Sequence, residues 1–258
     1  VITPGSHGTH VAGTIAAVSN NGKGVAGIAG GDFKAGKPGV TLLSCQTFKD
    51  LSDGTSRSGD FAAAIVWGAN HGAVISQNSW GYSFDENRDG RLTGDEVKNA
   101  MAATIRTSDK EAIDYFIEFA GCDNEGNQRP DSPMKGGVVI FAAGNDNIAN
   151  GAPANYEPIL SVGAIDPNGA KASYSNYGDW VDVCAPGGDH KVDAKYGGIY
   201  STGTNNTYVS KQGTSMACPH VTGIAALVLS ANGGPGYLRQ DLWDSIIDAA
   251  DPFIYDYN

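Results

Sequence analysis

The sequence is short of the features that mark several large classes of protein. Basic residues are scarce, because 17 lysines and arginines stand against 28 aspartates and glutamates, for a net charge of −11. Such a surface repels nucleic-acid phosphates and anionic lipids, so neither is an expected partner. The longest apolar runs, at 138–144 and 223–229, are well short of the about 20 residues that span a bilayer, and we predict no membrane span.

Cysteine is also sparse, with four residues in the chain. No pair has the close spacing typical of metal-binding cysteines. Three of them lie in apolar stretches and are predicted to be small core residues, namely Cys45, Cys184 and Cys218, whereas Cys122 borders a polar loop.

The sequence is rich in glycine, with 36 residues, and in apolar segments that are predicted to form alternating strands and helices. Helices are predicted over 7–18, 60–72 and 238–249, and after Thr93 and Ser108, each followed three residues later by a capping glutamate. Strands are predicted over 40–45, 73–79, 138–142, 159–165 and 181–184. Because several strands are apolar on both faces, we predict an α/β three-layer sandwich with a central, mostly parallel sheet of about six or seven strands.

One stretch places a reactive side chain at the start of an apolar helix. Gly213 and Thr214 lead into Ser215, and from Met216 to Ser230 nearly every helix face is apolar or small. Pro219 is expected at or near the first turn, where a missing N–H costs least. Ser215 would then lie beside unpaired backbone donors, a good position for a nucleophile. A capped core helix without chemistry is the alternative.

A serine nucleophile needs a base, a group that orients the base, and donors for the oxyanion. His7 and His10 lie three residues apart in the first predicted helix, and His7, at its start, is the better candidate for the base. His10 is predicted to be structural. Asn145 follows an apolar strand at the edge of the sheet where ligands of open α/β folds bind, so it is the candidate donor. A turn-forming asparagine is the alternative.

Three motifs, in this order, resemble those of the subtilisin-like serine proteases, or subtilases. They are His-Gly-Thr-His-Val-Ala-Gly-Thr from His7, Ala-Ala-Gly-Asn ending at Asn145, and Gly-Thr-Ser-Met-Ala-Cys-Pro-His-Val from Gly213. The resemblance implies a subtilisin-like fold and a serine endopeptidase that cleaves a peptide or protein substrate through an acyl-enzyme on Ser215. His7 would be the general base, and Asn145 an oxyanion-hole donor beside the Ser215 N–H. The family's location also implies an extracellular or cell-envelope protein.

The same resemblance implies a substrate-binding strand and the pocket for the residue before the scissile bond. The residues expected to form them are Ser79, Trp80, Gly81, Ala142, Ala143 and Gly144.

The orienting acid is where the chain departs from the family pattern. In the family the aspartate lies well before the histidine, but only six residues precede His7 and none is acidic. We therefore expect residues 1–258 to be one peptidase domain, incomplete at its N-terminus and also at its C-terminus. An upstream segment, a pro-segment or another chain would supply the acid. This chain alone is expected to be nearly inactive.

Residues 85–96 fit the twelve-residue EF-hand loop, which makes calcium the expected cofactor. The predicted ligands, in loop order, are Asp85, Asn87, Asp89, the carbonyl of Arg91, Thr93 and Glu96. No helix enters the loop, so we predict an EF-hand-like insertion at 85–107, directly after the substrate strand. An acidic surface turn is the alternative.

Two other functions stay open. The missing acid is compatible with a non-catalytic calcium-binding or interaction domain. A specialised processing protease or peptide ligase could also be built on the same scaffold. An Asp-Ser-Gly or Asp-Thr-Gly strand upstream would favour a protease. Partition of the acyl-enzyme between water and an amine would separate hydrolysis from ligation.

Overall fold

The computed structural model describes residues 5–50, 56–86 and 91–252 of the chain. The helices are α1 (Ser6–Ala16), α2 (Phe61–Asn70), α3 (Gly94–Ala102), α4 (Thr107–Phe119), α5 (Thr214–Asn232) and α6 (Arg239–Asp248). The strands are β1 (Phe48–Asp50), β2 (Ser56–Ser58), β3 (Ile75–Asn78), β4 (Val138–Ala142), β5 (Leu160–Ile165), β6 (Val183–Pro186), β7 (Ile199–Gly203) and β8 (Thr207–Lys211).

A parallel sheet in the order β3-β4-β5-β6 forms the middle layer. All five residues of β4 are buried, because the strand is covered on both faces. Val138, Ile140 and Ala142 pack with α5 and α6, whereas Val139 and Phe141 pack with α2 and α4. The prediction of an α/β three-layer sandwich is therefore confirmed, although the described residues contribute four strands to this sheet.

The strand predicted over 40–45 is wrong, because this stretch has no ladder partner among the described residues. Its apolar side chains are exposed, Val40 at 36%, Leu42 at 43% and Leu43 at 41%, and Cys45 is exposed too. A β-prone segment forms a strand only where a neighbouring strand can pair with it. Cys184 is half-buried and Cys218 is buried, so the core assignment is wrong for Cys45 and fits Cys218 best.

Two antiparallel hairpins were not predicted, β1 with β2 and β7 with β8. In the second, Asn205 and Asn206 both have φ of 58°, a turn conformation that asparagine tolerates. The Asn-Asn pair between two β-prone runs was the available signal for it. At α4, the predicted cap at Ser108 is also wrong, because the N-cap residue is Arg106.

By length and composition alone, helix α5 could cross a membrane, and no other helix among the described residues could. Five of its apolar side chains, those of Ala217, Cys218, Val221, Ala225 and Leu229, belong to the core cluster formed with the sheet, whereas Ile224 and Leu227 are exposed.

Candidate active site

The chain turns sharply into α5 just before Ser215. Gly213, the N-cap, has a φ of 143° that side-chain-bearing residues rarely adopt, so glycine is required there. Its N–H donates to the Gly187 carbonyl at 3.0 Å and to the Tyr174 hydroxyl at 2.9 Å, which fixes the turn. Ser215 is the second helical residue, and a backbone N–H at this position has no acceptor within the helix.

Pro219 lies inside α5 as its sixth residue, near the first turn as predicted but past it. A proline there has no N–H to offer the carbonyl four residues earlier, which is that of Ser215. The Ser79 hydroxyl donates to this carbonyl instead, at 2.9 Å. The Ser215 hydroxyl in turn donates to the Ser79 carbonyl at 3.4 Å. Pro219 thus leaves the backbone of the candidate nucleophile free to bind the expected substrate strand.

Asn145 lies beside the start of α5, and its side-chain oxygen is held there. Oδ1 accepts hydrogen bonds from the Thr214 N–H at 2.8 Å and from the Thr214 hydroxyl at 3.0 Å. The hydroxyl also accepts from the Gly144 N–H at 3.1 Å. With Oδ1 held on the helix, the Nδ2 donors are left without a partner among the described residues. Sequence reasoning missed Thr214, although its position next to Ser215 was a signal.

Asn176 shapes the loop that carries Asn145, and it too was missed. It is 3% exposed, and its Oδ1 accepts from the N–H groups of Asp146 and Ile148 at 2.9 and 3.2 Å. Its Nδ2 donates to the Ala143 carbonyl at 3.1 Å. A Cβ at Gly144 would collide with this amide, so residue 144 has to be glycine. Only the tertiary structure brings residue 176 to this loop.

Of the two histidines in α1, His10 is fully buried. Its Nε2 lies 2.9 Å from the Ile199 carbonyl and 3.1 Å from the Val209 carbonyl, so this nitrogen carries the proton. Burial lowers the pKa of His10, while these two carbonyls oppose the shift. The ring thus clamps α1 to the β7–β8 hairpin, which is consistent with a structural role.

His7 lies one turn before Val11 on α1, and Val11 and Ile15 pack against Met216 in the first turn of α5. The pKa of His7 is lowered, first by partial burial of the ring, then by the positive charge of Lys211 and by His10. No hydrogen bond joins His7 to Ser215, and no carboxylate of residues 5–50, 56–86 or 91–252 pairs with it. Lys211 is the last residue of β8, in the hairpin that directly precedes the candidate nucleophile. This hairpin therefore supplies the positive charge that lowers the pKa of His7.

A small pocket opens between the end of β4 and the segment after β3; its cavity volume is about 30 Å³, and the space around it is open to solvent. Its lining includes four of the six predicted substrate-binding residues, namely Gly81, Ala142, Ala143 and Gly144. Ser79 binds the Ser215 carbonyl instead. The Trp80 ring stacks on Phe61, with 4.1 Å between ring centroids, so it belongs to the packing behind the pocket.

In the predicted calcium loop, Asn87 and Asp89 lie outside the described residues. Glu96 is 8% exposed, and its carboxylate accepts hydrogen bonds from the Glu86 N–H at 2.9 Å and from the N–H and hydroxyl of Thr93 at 3.0 Å each. Among the described residues, no three acidic, histidine or cysteine side chains converge as a metal site. Asp85, Thr93 and Glu96 nevertheless offer only oxygen, the donor type that Ca²⁺ binds.

The chain matches known proteins over nearly its whole length. The Subtilase family (peptidase S8) matches residues 3–253. A thermophilic serine proteinase of Bacillus sp. (strain AK1) is 35% identical over 237 residues, which are 91% of this chain and 45% of that protein. An extracellular protease of Xanthomonas campestris pv. campestris is 35% identical over 228 residues, which are 87% of this chain and 32% of that protein.

Among solved structures, a protease from Pseudoalteromonas arctica PAMC 21717 aligns with a TM-score of 0.65 at 30% identity, over 96% of this chain and 65% of that one. The chain thus spans less than half of the two relatives described above.

Proposed function

This chain belongs to the subtilase family, and from that premise we propose that it is the core of a serine endopeptidase in which Ser215 is the nucleophile, His7 the general base and Asn145 an oxyanion-hole donor. The observation that carries the proposal is the Thr214–Asn145 network. It leaves the Nδ2 donors of Asn145 and the N–H of Ser215 without a partner among the described residues, and both nitrogens lie within 4 Å of the position that a Cβ at Gly213 would take.

In the proposed reaction, the Ser215 hydroxyl leaves the Ser79 carbonyl and gives its proton to His7 as Oγ attacks the scissile carbonyl carbon. Negative charge develops on the carbonyl oxygen, where the Asn145 amide and the Ser215 N–H stabilise it. The C–N bond then breaks, and His7 returns the proton to the leaving amine. Water, deprotonated by His7, hydrolyses the acyl-enzyme and frees Ser215.

The proposal also requires an acid to orient His7. Without one, the imidazole is not held in the tautomer that can accept the serine proton, which in a chymotrypsin-type enzyme costs about 10⁴ in kcat. We therefore propose that this chain alone is nearly inactive. We call the chain together with a segment that carries the orienting aspartate the acid-complete enzyme.

For the loop at 85–96, we propose a calcium ion held by the side chains of Asp85, Asn87, Asp89, Thr93 and Glu96 and by the Arg91 carbonyl. When bound, the ion would supply structural cross-linking, not chemistry. The Glu96 carboxylate already accepts hydrogen bonds from Thr93, so a bound cation would further stabilise a loop that these bonds already hold together. An extracellular or cell-envelope location is part of the same proposal, supported by a relative named as an extracellular protease.

A fluorophosphonate probe and a chromogenic peptide test the proposal directly. The acid-complete enzyme should label at Ser215, release product in a burst and then turn over, and Ser215→Ala should do none of these. The chain alone should turn over about 10⁴-fold more slowly. Equal turnover rates for the two proteins would show that the orienting acid is not supplied by the added segment. Absence of labelling would favour the non-catalytic domain, and preferential transfer to an added amine would favour the ligase.

A further inference from the structure

Gly213 lies between the two donors of the candidate oxyanion hole. The position that a Cβ on this glycine would take is 3.7 Å from the Ser215 nitrogen and 3.9 Å from Asn145 Nδ2. A shift of the Gly213 backbone would therefore move one donor relative to the other. Such a shift is costly for catalysis, because both donors must point at the place where the oxyanion forms.

The Tyr174 hydroxyl holds Gly213 in place. It accepts the Gly213 N–H at 2.9 Å and donates its own proton to the Gly188 carbonyl at 2.5 Å. Burial raises the pKa of Tyr174, so the hydroxyl stays protonated into the alkaline range and keeps this donor.

The backbone of Tyr174 holds the loop that carries the other donor. Its carbonyl accepts the N–H of Asn147, two residues after Asn145, at 2.8 Å. Lys171 reinforces this contact, because its ammonium group donates to Asn147 Oδ1 at 2.8 Å and to the Ser175 carbonyl at 3.0 Å. Tyr174 therefore contacts both donor-bearing segments, one through its hydroxyl and the other through its carbonyl.

The turn that carries Tyr174 is itself anchored. The buried carboxylate of Asp189 accepts the Ser173 N–H at 2.7 Å and the Lys191 N–H at 2.9 Å. The Tyr174 ring also packs against the core cluster formed with the sheet. A side chain positions its neighbours only when it is held in this way by its own surroundings.

We propose that Tyr174 is a positioning residue, which fixes the two candidate oxyanion-hole donors relative to each other. Its hydroxyl acts through Gly213 on the Ser215 N–H. Its carbonyl acts through Asn147 on the Asn145 amide. The inference rests on the proposed function, because it takes these two groups to be the donors that stabilise the oxyanion.

The test is Tyr174→Phe in the acid-complete enzyme, which removes the hydroxyl and keeps the ring and the backbone. With kcat normalised to the sites titrated by the fluorophosphonate probe, kcat should fall by about 2- to 12-fold, the loss expected for one hydrogen bond. KM for the chromogenic peptide should change little, because the oxyanion forms only in the transition state. A peptide boronate, which forms a tetrahedral adduct with the serine, should bind more weakly by the same factor.

Two other tyrosines provide matched controls. Tyr156→Phe removes a 2.8 Å bond to Asp114 on α4, so it should lower the melting temperature without changing kcat. Tyr237→Phe removes a buried hydroxyl that has no hydrogen-bond partner among the described residues, so it should lower neither. These controls separate the loss of stability in general from the loss of this particular hydroxyl.

Unchanged kcat in Tyr174→Phe, with labelling of Ser215 intact, would overturn the inference and leave the proposed function standing. The loss of kcat should also be smaller in an Asn145→Ala background, because one of the two donors is then absent. An equal loss in both backgrounds would overturn the joint placement of the donors. Failure of the acid-complete enzyme to label at Ser215 and to turn over any peptide would overturn the proposed function and the inference with it.

Discussion

The Thr214 hydroxyl offers the sharpest test of how the candidate oxyanion hole is held. Thr214→Val keeps the branched shape of this fully buried side chain and removes only its hydrogen-bonding oxygen. Asn145 Oδ1 then loses the 3.0 Å bond and keeps the 2.8 Å bond from the backbone of residue 214. A bond of this kind contributes about 0.5–1.5 kcal/mol net, which corresponds to a fall in kcat of about 2- to 12-fold. KM should change little, because the oxyanion forms only in the transition state.

The mutation has a second cost, since the Gly144 N–H loses its acceptor. An unpaired donor of this kind costs about 1–3 kcal/mol, so the melting temperature should fall. Stability and catalysis are separated by a control in the same helix, Thr222→Val, which removes the 3.2 Å bond from a buried hydroxyl to the Cys218 carbonyl. That variant should also melt earlier, but its kcat, measured with titrated active sites, should match the wild type.

A double-mutant cycle decides whether Thr214 acts through Asn145. Asn145→Ala should lower kcat by about 10²–10³, the loss known for subtilisin's own asparagine and thus borrowed from a relative. Thr214→Val should then have no further effect on kcat. If Thr214→Val lowers kcat by the same factor with and without Asn145, or not at all, the assigned role of Thr214 is wrong.

Three further predictions follow from charge. Because the Lys211 charge lowers the pKa of His7, Lys211→Met should raise that pKa. The acid limb of the pH profile of kcat/KM should then move to higher pH. An acid limb that stays in place would contradict this prediction. Burial also lowers the pKa values of His10 and His220 from the ordinary 6.5. Their contribution to stability is therefore present above pH 6.5 and lost as the pH falls below it, so the melting temperature should fall with acidification below pH 6.5. Calorimetric titration should show calcium binding to the wild type and to Glu86→Gln, which changes a non-ligand position of the loop, but weaker binding to Glu96→Gln. Chelation of calcium should lower the melting temperature and raise KM more for extended than for short peptides. Identical calcium binding by all three proteins would make the loop an acidic surface turn.

The sequence predicted those parts of the fold that depend on local pattern. The apolar run at 138–142 and the helix after Thr214 are recognisable because burial on both sides demands apolar residues throughout. The segment at 40–45 has the same composition as a strand, but pairing depends on a partner that sequence pattern does not reveal. Local pattern also places Ser215 and Asn145 at the ends of their elements.

The surroundings of the candidate site were less predictable, because they depend on contacts distant in the sequence. Asn176 reaches the loop after β4 across 30 residues, and Ala100 joins the pocket from a helix that follows the predicted calcium loop. Nothing in the spacing of these residues indicates that they meet. That Pro219 leaves the Ser215 carbonyl without its helical donor could have been inferred from the missing N–H, but the donor that replaces it, the Ser79 hydroxyl, could not.

The clamp between His10 and the β7–β8 hairpin also sets when the site can exist during synthesis. The carbonyls that hold the ring belong to residues 189 and 199 positions later in the chain. The first helix therefore cannot settle into its final place until the ribosome has made and released the hairpin. A nascent chain that has emerged only as far as β6 carries His7 and Asn145 but lacks both the clamp and Ser215. The order of translation thus keeps the site unassembled until most of the chain has left the ribosome.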